Sequence, residues 1–339
     1  MSDRAPPEPL FVDYLGGPDV AALALTDDEI VAAVEASLAA QGRGETVIEP
    51  RVHLAPDPRF RGHFNVLRGY VAPLGLAGVK VVGDFVDNWR HSLPSELGLL
   101  TLFDPRTGRP LAIIDAAALT DMRTGAVTAV GAKHLARKSS RVLGHVGARG
   151  TAYWNVRLLA RLFAFDEIRV HSRRPESRMA FAERLARDLG RPVVATPDWE
   201  SCVRGADVVV EASRLDAPAP LLRTEWIARG AFVVPYGTMS AVELSLTDVM
   251  DKVVVDDWGQ CKAGPFGSLR AHVEAGKLTA ATLHAELGEI VAGRKPGRER
   301  DDETILLWHR GLSTSDVALG AAMLDKAKRL GLGTRLRYA

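Results

Sequence analysis

LGHVGARGTA, residues 143–152, is the stretch whose reading decides the fold. It ends a short apolar run, RVLGHVG (141–147), on glycine and opens at once onto a helical pattern, TAYWNVRLLARLFA (151–164). A strand that passes through a glycine turn into a helix makes an anion site, because unpaired N–H groups and the helix dipole point at whatever sits there. Dinucleotide-binding turns read GxGxxG/A. Gly147 takes the first position and Ala152 the third, but Arg149 stands at the second and Gly150 falls one residue late. The same glycine turn occurs in doubly wound folds without a nucleotide, so the flanking sequence has to decide.

The next strand, EIRVHS (167–172), follows at the expected distance and runs into RRPESR (173–178). An NAD site places an acid here for the ribose hydroxyls. Ser172, Arg173 and Arg174 stand there instead, and guanidinium groups suit a ribose 2′-phosphate. The expected cofactor is NADP(H), with NAD(H) the second choice; the alternative is a solvated basic loop. Ser213, closing ADVVVEAS (206–213), joins Gly147, Arg149, Gly150 and Thr151 in the candidate cofactor set.

Outward from this motif, strands and helices alternate. PESRMAFAERLARDLG (175–190) is helical, and PVVAT (192–196), ADVVVEAS, GAFVVPYG (230–237), KVVVDD (252–257) and ETILLWH (303–309) read as strands. This spacing implies right-handed βαβ units and a mostly parallel sheet. STSDVALGAAMLDKAKRLG (313–331) reads as a last helix. Upstream the texture differs. TDDEIVAAVEASLAAQ (26–41) is a helix that Thr26 and Glu29 can box at its start. Five β-rich runs fill about 46–115, with DPRTGRP (104–110) as a hairpin turn, and DAAALTDMRTGAVTAVGAKHLAR (115–137) is helical. The first ten residues are polar and Pro-rich and are expected to form a loose arm. The fold class is α/β: a Rossmann-type, doubly wound parallel sheet plus an N-terminal β-rich α+β domain.

A length of 339 residues suits two domains. A net charge of +1 gives no electrostatic reason to expect nucleic acid or an anionic membrane as partner. The two cysteines, Cys202 and Cys261, form neither a CxxC pair nor a metal-ligand cluster. The start, MSDRAPPEPLF, lacks a basic segment followed by an apolar one, and no run reaches the ~20 apolar residues of a membrane span. The expected location is the cytoplasm.

Several motifs together resemble one family, ornithine cyclodeaminase/mu-crystallin. They are EPRVHL (49–54), GVKVVGDF (78–85), LTLFDPRTGRPLAIIDAAALTDMRTGAVTAVGAKHLA (100–136), the glycine turn, ADVVVEAS and AELGEIVAGRKPGR (285–298). The resemblance implies a substrate-binding domain, 1–125 completed by 313–339, that dimerises through its β-sheet, and a dinucleotide-binding domain, 126–312. It also implies that Arg51, Lys80 and Arg123 line the substrate site and that Arg123 and Thr124 approach cofactor phosphate. The chemistry agrees. Two arginines can grip a carboxylate, and a buried lysine beside arginines can work as an acid/base near neutrality. The alternatives are surface ion pairs for the arginines and an outward strand position for Lys80.

Two features depart from the family pattern. Cyclodeaminases carry an aspartate shortly after the fourth Rossmann strand, whereas VVPYGTMSAVEL (233–244) has no Asp before Glu243. That counts against ornithine cyclisation with loss of ammonia. Arg149 can either reach a phosphate or block the pyrophosphate approach. The leading function is an NAD(P)H-dependent oxidoreductase acting on a small α-amino or α-imino acid, an imine or ketimine reductase or an amino acid dehydrogenase. A cyclodeaminase-type lyase with tightly bound NAD(H) and a non-catalytic NADPH-binding protein are the alternatives. A homodimer is expected, without nucleic acid, membrane or metal. His53, His63 and His91 read as surface or core histidines. Asp256 and Asp257 read as a strand end and helix cap, 297–304 as a solvated loop with closure over the site as the alternative, Asp316 as a cap of the last helix, and Trp258 and Trp308 as core or interface.

Overall fold

A computed structural model describes residues 9–339. The expected loose arm falls mainly on residues 1–8, outside those described. The strands come as β1 (Phe11–Leu15), β2 (Thr46–Leu54), β3 (Gly62–Val71), β4 (Leu76–Phe85), β5 (Glu96–Phe103), β6 (Pro110–Asp115), β7 (Val142–Val146), β8 (Glu167–His171), β9 (Val194–Ala195), β10 (Val208–Glu211), β11 (Phe232–Pro235), β12 (Lys252–Val255), β13 (Ala285–Glu286), β14 (Ile305–Trp308) and β15 (Thr334–Arg337). The helices are α1 (Gly17–Ala22), α2 (Asp27–Gly42), α3 (Ala117–Leu135), α4 (Ala152–Leu162), α5 (Pro175–Leu189), α6 (Trp199–Val203), α7 (Trp258–Lys262), α8 (Arg270–Glu274), α9 (Leu287–Val291) and α10 (Ser313–Leu330). Among the described residues no helix is long and apolar enough to cross a membrane.

Two compact units result. One comprises residues 9–26, Thr46–Thr120 and Ser313–Ala339; the other comprises Asp27–Glu45 and Asp121–Leu312. The division drawn from sequence put residues 27–45 and 121–125 with the first unit, and the packing corrects this. Arg157 Nε lies 2.7 Å from Asp27 Oδ1, Lys133 Nζ lies 2.8 Å from Glu35, and Gly42 lacks a side chain where the Gly288 backbone passes.

The first unit is a seven-stranded sheet in the order β15-β1-β6-β5-β4-β3-β2. β1 runs parallel to β6, and the other neighbours are antiparallel. The turn between β5 and β6 closes where Asp104 N–H donates to Arg109 O at 2.9 Å. Helix α10 covers the inner face. It comes so close that a Cβ on Gly78 would stand 2.6 Å from Val317 Cγ2. Strand alternation sends Lys80 and Val82 to that buried face and Val81 to the other. In β2 the register slips between Glu49 and Val52, so Pro50 and Arg51 together face the single residue Leu67. Proline has no N–H for the ladder, and a bulge re-aims the side chain it carries. Strands β1 and β15 escape the sequence reading. TRLR (334–337) is exposed at all four positions and forms an edge strand with no apolar alternation to betray it.

The second unit is an eight-stranded, wholly parallel sheet in the order β13-β12-β14-β11-β10-β7-β8-β9. VVVE, FVVP, KVVV and ILLW are buried along their whole length, as expected of strands covered on both faces. The strand order reverses between β7 and β10. Ligands of such sheets bind beyond the C-terminal strand ends at that switch point. Residues 297–304 are anchored rather than merely solvated. Lys252 Nζ lies 2.7 Å from Glu299 and 3.1 Å from Glu303, and Glu303 is buried.

Candidate active site

In the first unit the candidate site is built around Lys80. It is 1% exposed, its Nζ lies 2.6 Å from Asp316 Oδ1, and it donates to Thr120 Oγ1 at 3.1 Å. The outward-facing alternative for Lys80 is thereby removed. Thr120 comes from the first turn of α3 and Asp316 from the first turn of α10. Asp316, assigned as a cap from sequence, is instead the carboxylate partner of Lys80. One signal pointed to it: Asp316, Leu319, Gly320 and Met323 repeat at helical spacing on a buried face, where an acid needs a partner. Arg51 is half-buried, its Nε hidden from solvent. Its bulge opposes Leu67, and Leu67 is the cross-strand partner of Lys80, so Arg51 and Lys80 share one rung of the sheet.

In the second unit the glycine turn forms a cradle. Gly147 has φ +111°, and a Cβ there would stand 2.6 Å from Ala212 O. Gly150 also has a positive φ, +47°. Arg149 is exposed, so its side chain does not fill the cradle. Ser213 supplies a second sign of a ligand. Its Oγ is inaccessible and has no hydrogen-bond partner among the described residues. A backbone cradle free of side chains and a buried hydroxyl without a protein partner at the strand switch fit a dinucleotide. Gly147, Gly150, Thr151 and Ser213 would hold it. Ser172 is half-buried, while Arg173 and Arg174 stand exposed in the turn before α5. Arg123 and Thr124 are both buried on α3. The Gly311 backbone, at φ +80°, packs on the Arg123 guanidinium. Asp256 fixes that loop by accepting from Arg310 N and Gly311 N at 2.8 Å each. Asp257 caps α7, as read from sequence.

Sequence reasoning missed a polar network behind this cradle. Tyr236 stacks on His309 with ring centroids 4.5 Å apart, and its hydroxyl bonds Thr151 Oγ1 and Asn155 Nδ2. The Thr151 hydroxyl is thus engaged within the protein. His145 Nδ1 lies 3.1 Å from Gly147 O, and its Nε2 lies 3.3 Å from Asn155 Nδ2. Donation from Nδ1 leaves Nε2 to accept from the amide. Burial lowers the His145 pKa to about 4. Burial and, second, the Arg123 charge lower that of His309 to about 3. Both rings are neutral near pH 7 and act as hydrogen-bonding struts. The residues of this network lie 80 or more positions apart for the Tyr236 links, which no local pattern reveals.

Comparison with known proteins identifies relatives along nearly the whole chain. An alanine dehydrogenase of Archaeoglobus fulgidus is 30% identical over 92% of this chain and 94% of its own length. The structure of an archaeal alanine dehydrogenase dimer with bound NAD superposes with a TM-score of 0.89 at 28% identity, covering 97% of this chain and all of that one. A Thermococcus litoralis Δ(1)-pyrroline-2-carboxylate reductase, in complex with NADH and L-proline, gives 0.88 at 26% identity, covering 95% and 99%. The model of the ornithine cyclodeaminase/mu-crystallin family matches residues 17–330. The chain belongs to the ornithine cyclodeaminase/mu-crystallin family.

Proposed function

We propose that this protein is a nicotinamide-dependent oxidoreductase acting at the C–N bond of a small α-amino or α-imino acid. The observation that carries the reading is the buried Lys80, held by Asp316 and Thr120, in a chain whose relatives include an alanine dehydrogenase and a pyrroline-2-carboxylate reductase. A dinucleotide held by the second unit would supply or accept the hydride at the α-carbon. Lys80 delivers the proton that makes an imine nitrogen a better hydride acceptor, and takes it back in the reverse direction. Arg51 and Arg123 are assigned to the substrate carboxylate. Thr120 and Asp316 fix the ammonium, so that its proton points one way.

A reductase fits better than an ammonia lyase. The loop after β11 holds no aspartate, and Glu243 is occupied by accepting from Thr224 N at 2.9 Å. Ser172, Arg173 and Arg174 favour NADP(H), with NAD(H) as the second choice. An exposed apolar sheet face in the first unit supports a homodimer, and the archaeal alanine dehydrogenase is described as a dimer.

The test is turnover with cyclic five- and six-membered 2-imino acids, and with 2-oxo acids plus an amine. Oxidation of reduced cofactor in step with amine formed is expected. Ammonia release from a diamino acid without net cofactor change would make the protein a lyase. Cofactor binding without turnover of any of these compounds would make it a binding protein.

A further inference from the structure

One buried ionisable side chain has no part in the chemistry above. Glu211 ends β10 and is wholly buried. Its Oε1 accepts from Ser213 N at 2.7 Å. Its Oε2 accepts from Gly237 N at 3.3 Å and from Ser268 Oγ at 2.9 Å. The donors come from three separate segments: the loops after β10 and β11, and the approach to α8. Glu211 therefore ties together the ends of the strands beside the switch point. The residue after it, Ala212, is the one whose carbonyl faces the Gly147 cradle, and the next, Ser213, carries the orphaned hydroxyl.

The distances admit two hydrogen-bonding arrangements. Ser268 Oγ lies 3.1 Å from Gly237 O as well as 2.9 Å from Glu211. A hydroxyl has one proton and cannot donate to both. With Glu211 ionised, Ser268 donates to the carboxylate. With Glu211 protonated, the acid donates to Ser268 Oγ and Ser268 donates to Gly237 O. Both arrangements are hydrogen-bonded, and they differ by one buried negative charge. Desolvation pushes the Glu211 carboxyl up, and hydrogen bonding from Ser213, Ser268 and Gly237 pulls the other way.

We propose that Glu211 sets the balance between oxidised and reduced cofactor, its buried carboxylate favouring the positively charged oxidised nicotinamide over the neutral reduced ring. The inference rests on the dinucleotide reading of the second unit. A charge behind a low-dielectric wall is poorly screened and acts on a cation beyond contact distance. On the adjoining strands its register partners are Val146 and Pro235, neither of which titrates. Tyr236 feels the Glu211 charge, but burial pushes its phenol upward, so it stays neutral, and the cationic Arg310 side chain packs on Gly267 beside Ser268. Glu211 is a positioning residue for the loop ends and an electrostatic partner of the cofactor, not an acid or base for the substrate.

The sign follows from linkage. The oxidised ring stabilises the ionised carboxylate, so oxidised cofactor tightens relative to reduced cofactor as pH rises through the Glu211 ionisation. The pyrophosphate is common to both forms, and its repulsion of the carboxylate cancels in their ratio. The experiment measures the Kd of both dinucleotide forms across about pH 5 to 9 for the wild type, Glu211→Gln and Ser268→Ala. In the wild type, the oxidised form should tighten about tenfold relative to the reduced form, the equivalent of about one pKa unit of coupling. Glu211→Gln should abolish that slope and shift the ratio about tenfold toward the reduced form. Ser268→Ala removes a donor to the carboxylate and should move the midpoint to higher pH. Equal weakening of both forms in Glu211→Gln, or a slope that survives it, overturns the proposal. Should Glu211→Gln fail to fold, an unmoved midpoint in Ser268→Ala overturns it equally. Failure of the wild type to bind either form would instead overturn the dinucleotide reading, and this inference with it.

Discussion

Lys80 Nζ and Asp316 Oδ1 lie 2.6 Å apart, with the two side chains 1% and 0% exposed. Removing one member of a buried pair leaves the other charge uncompensated, which costs about 3–5 kcal/mol. Replacing both with apolar residues of similar size is often neutral. Asp316→Ala and Lys80→Ala should therefore each lower the denaturation midpoint, and Lys80→Met combined with Asp316→Leu should restore it. Turnover should behave differently, staying at least about a hundredfold below wild type in all three variants. Chemical denaturation and steady-state kinetics on one set of proteins read both effects. Substantial turnover in the stable double variant would remove Lys80 from the chemistry.

How much of this was legible in sequence depends on how local each feature is. Lys80 is conspicuous because VKVV sets a charge inside an apolar strand, and the parallel sheet is conspicuous because VVVE and KVVV are buried on both sides. The partner of Lys80 was not, since Asp316 lies 236 residues away and only the packing of α10 joins them. Tyr236 and Thr151, 85 residues apart, meet through the parallel order of β7 and β11 around β10. Helix α2 was recognised as a helix, but nothing along the chain says which unit an amphipathic helix will pack on. Its ion pairs to Lys133 and Arg157 decide that.

Arg173 and Arg174 lead to a test of cofactor choice. Both are exposed at the end of the second strand of the parallel sheet, where an NAD site would carry an acid. Replacing both with Ser should raise the Kd for NADPH about tenfold or more, in line with the loss of charge-assisted contacts to a phosphate. The Kd for NADH should stay within about threefold, because the ribose hydroxyl makes no such contact. Salt should weaken NADPH binding in the wild type more than in the variant. Tighter binding of NADH than NADPH by the wild type would place this chain with its NAD-bound relatives.

The outer face of the first sheet leads to a test of assembly. Val52, Val66, Val81 and Leu99 are successive cross-strand partners over four strands, and Leu54 and Leu97 lie in the next rung. Val52 is 49% exposed, Leu54 57% and Leu99 49%. A contiguous apolar face of this kind marks an interaction surface. Val81→Asp with Leu99→Asp puts two charges side by side at its centre and should convert a dimer to a monomer in light scattering. The parallel sheet is remote in sequence from these positions, so dinucleotide Kd should change little. A monomeric wild type, or a double variant that still dimerises, would rule out this face.

His145 and His309 give the fold an acid sensitivity whose sign can be derived. Burial holds their folded pKa values at about 4 and about 3, against an ordinary 6.5. The unfolded chain therefore takes up protons below about pH 6.5 that the folded chain refuses. Each histidine makes stability fall with pH by about 1.4 kcal/mol per unit, starting near 6.5 and ending near its own folded value. Glu211 and Asp256, whose carboxyls burial pushes up, tilt the curve the opposite way, so the total slope mixes both. The histidine share is isolated by difference. His309→Asn should flatten the fall in unfolding free energy between about pH 6.5 and 4 by about 1.4 kcal/mol per unit relative to wild type. Above about pH 7 it should leave only a pH-independent offset, from the lost bond to Thr128 Oγ1 and the lost stack on Tyr236. Parallel curves for variant and wild type through the acid range would mean that His309 takes up its proton in the folded state, and that the ring does not lie buried beneath Tyr236.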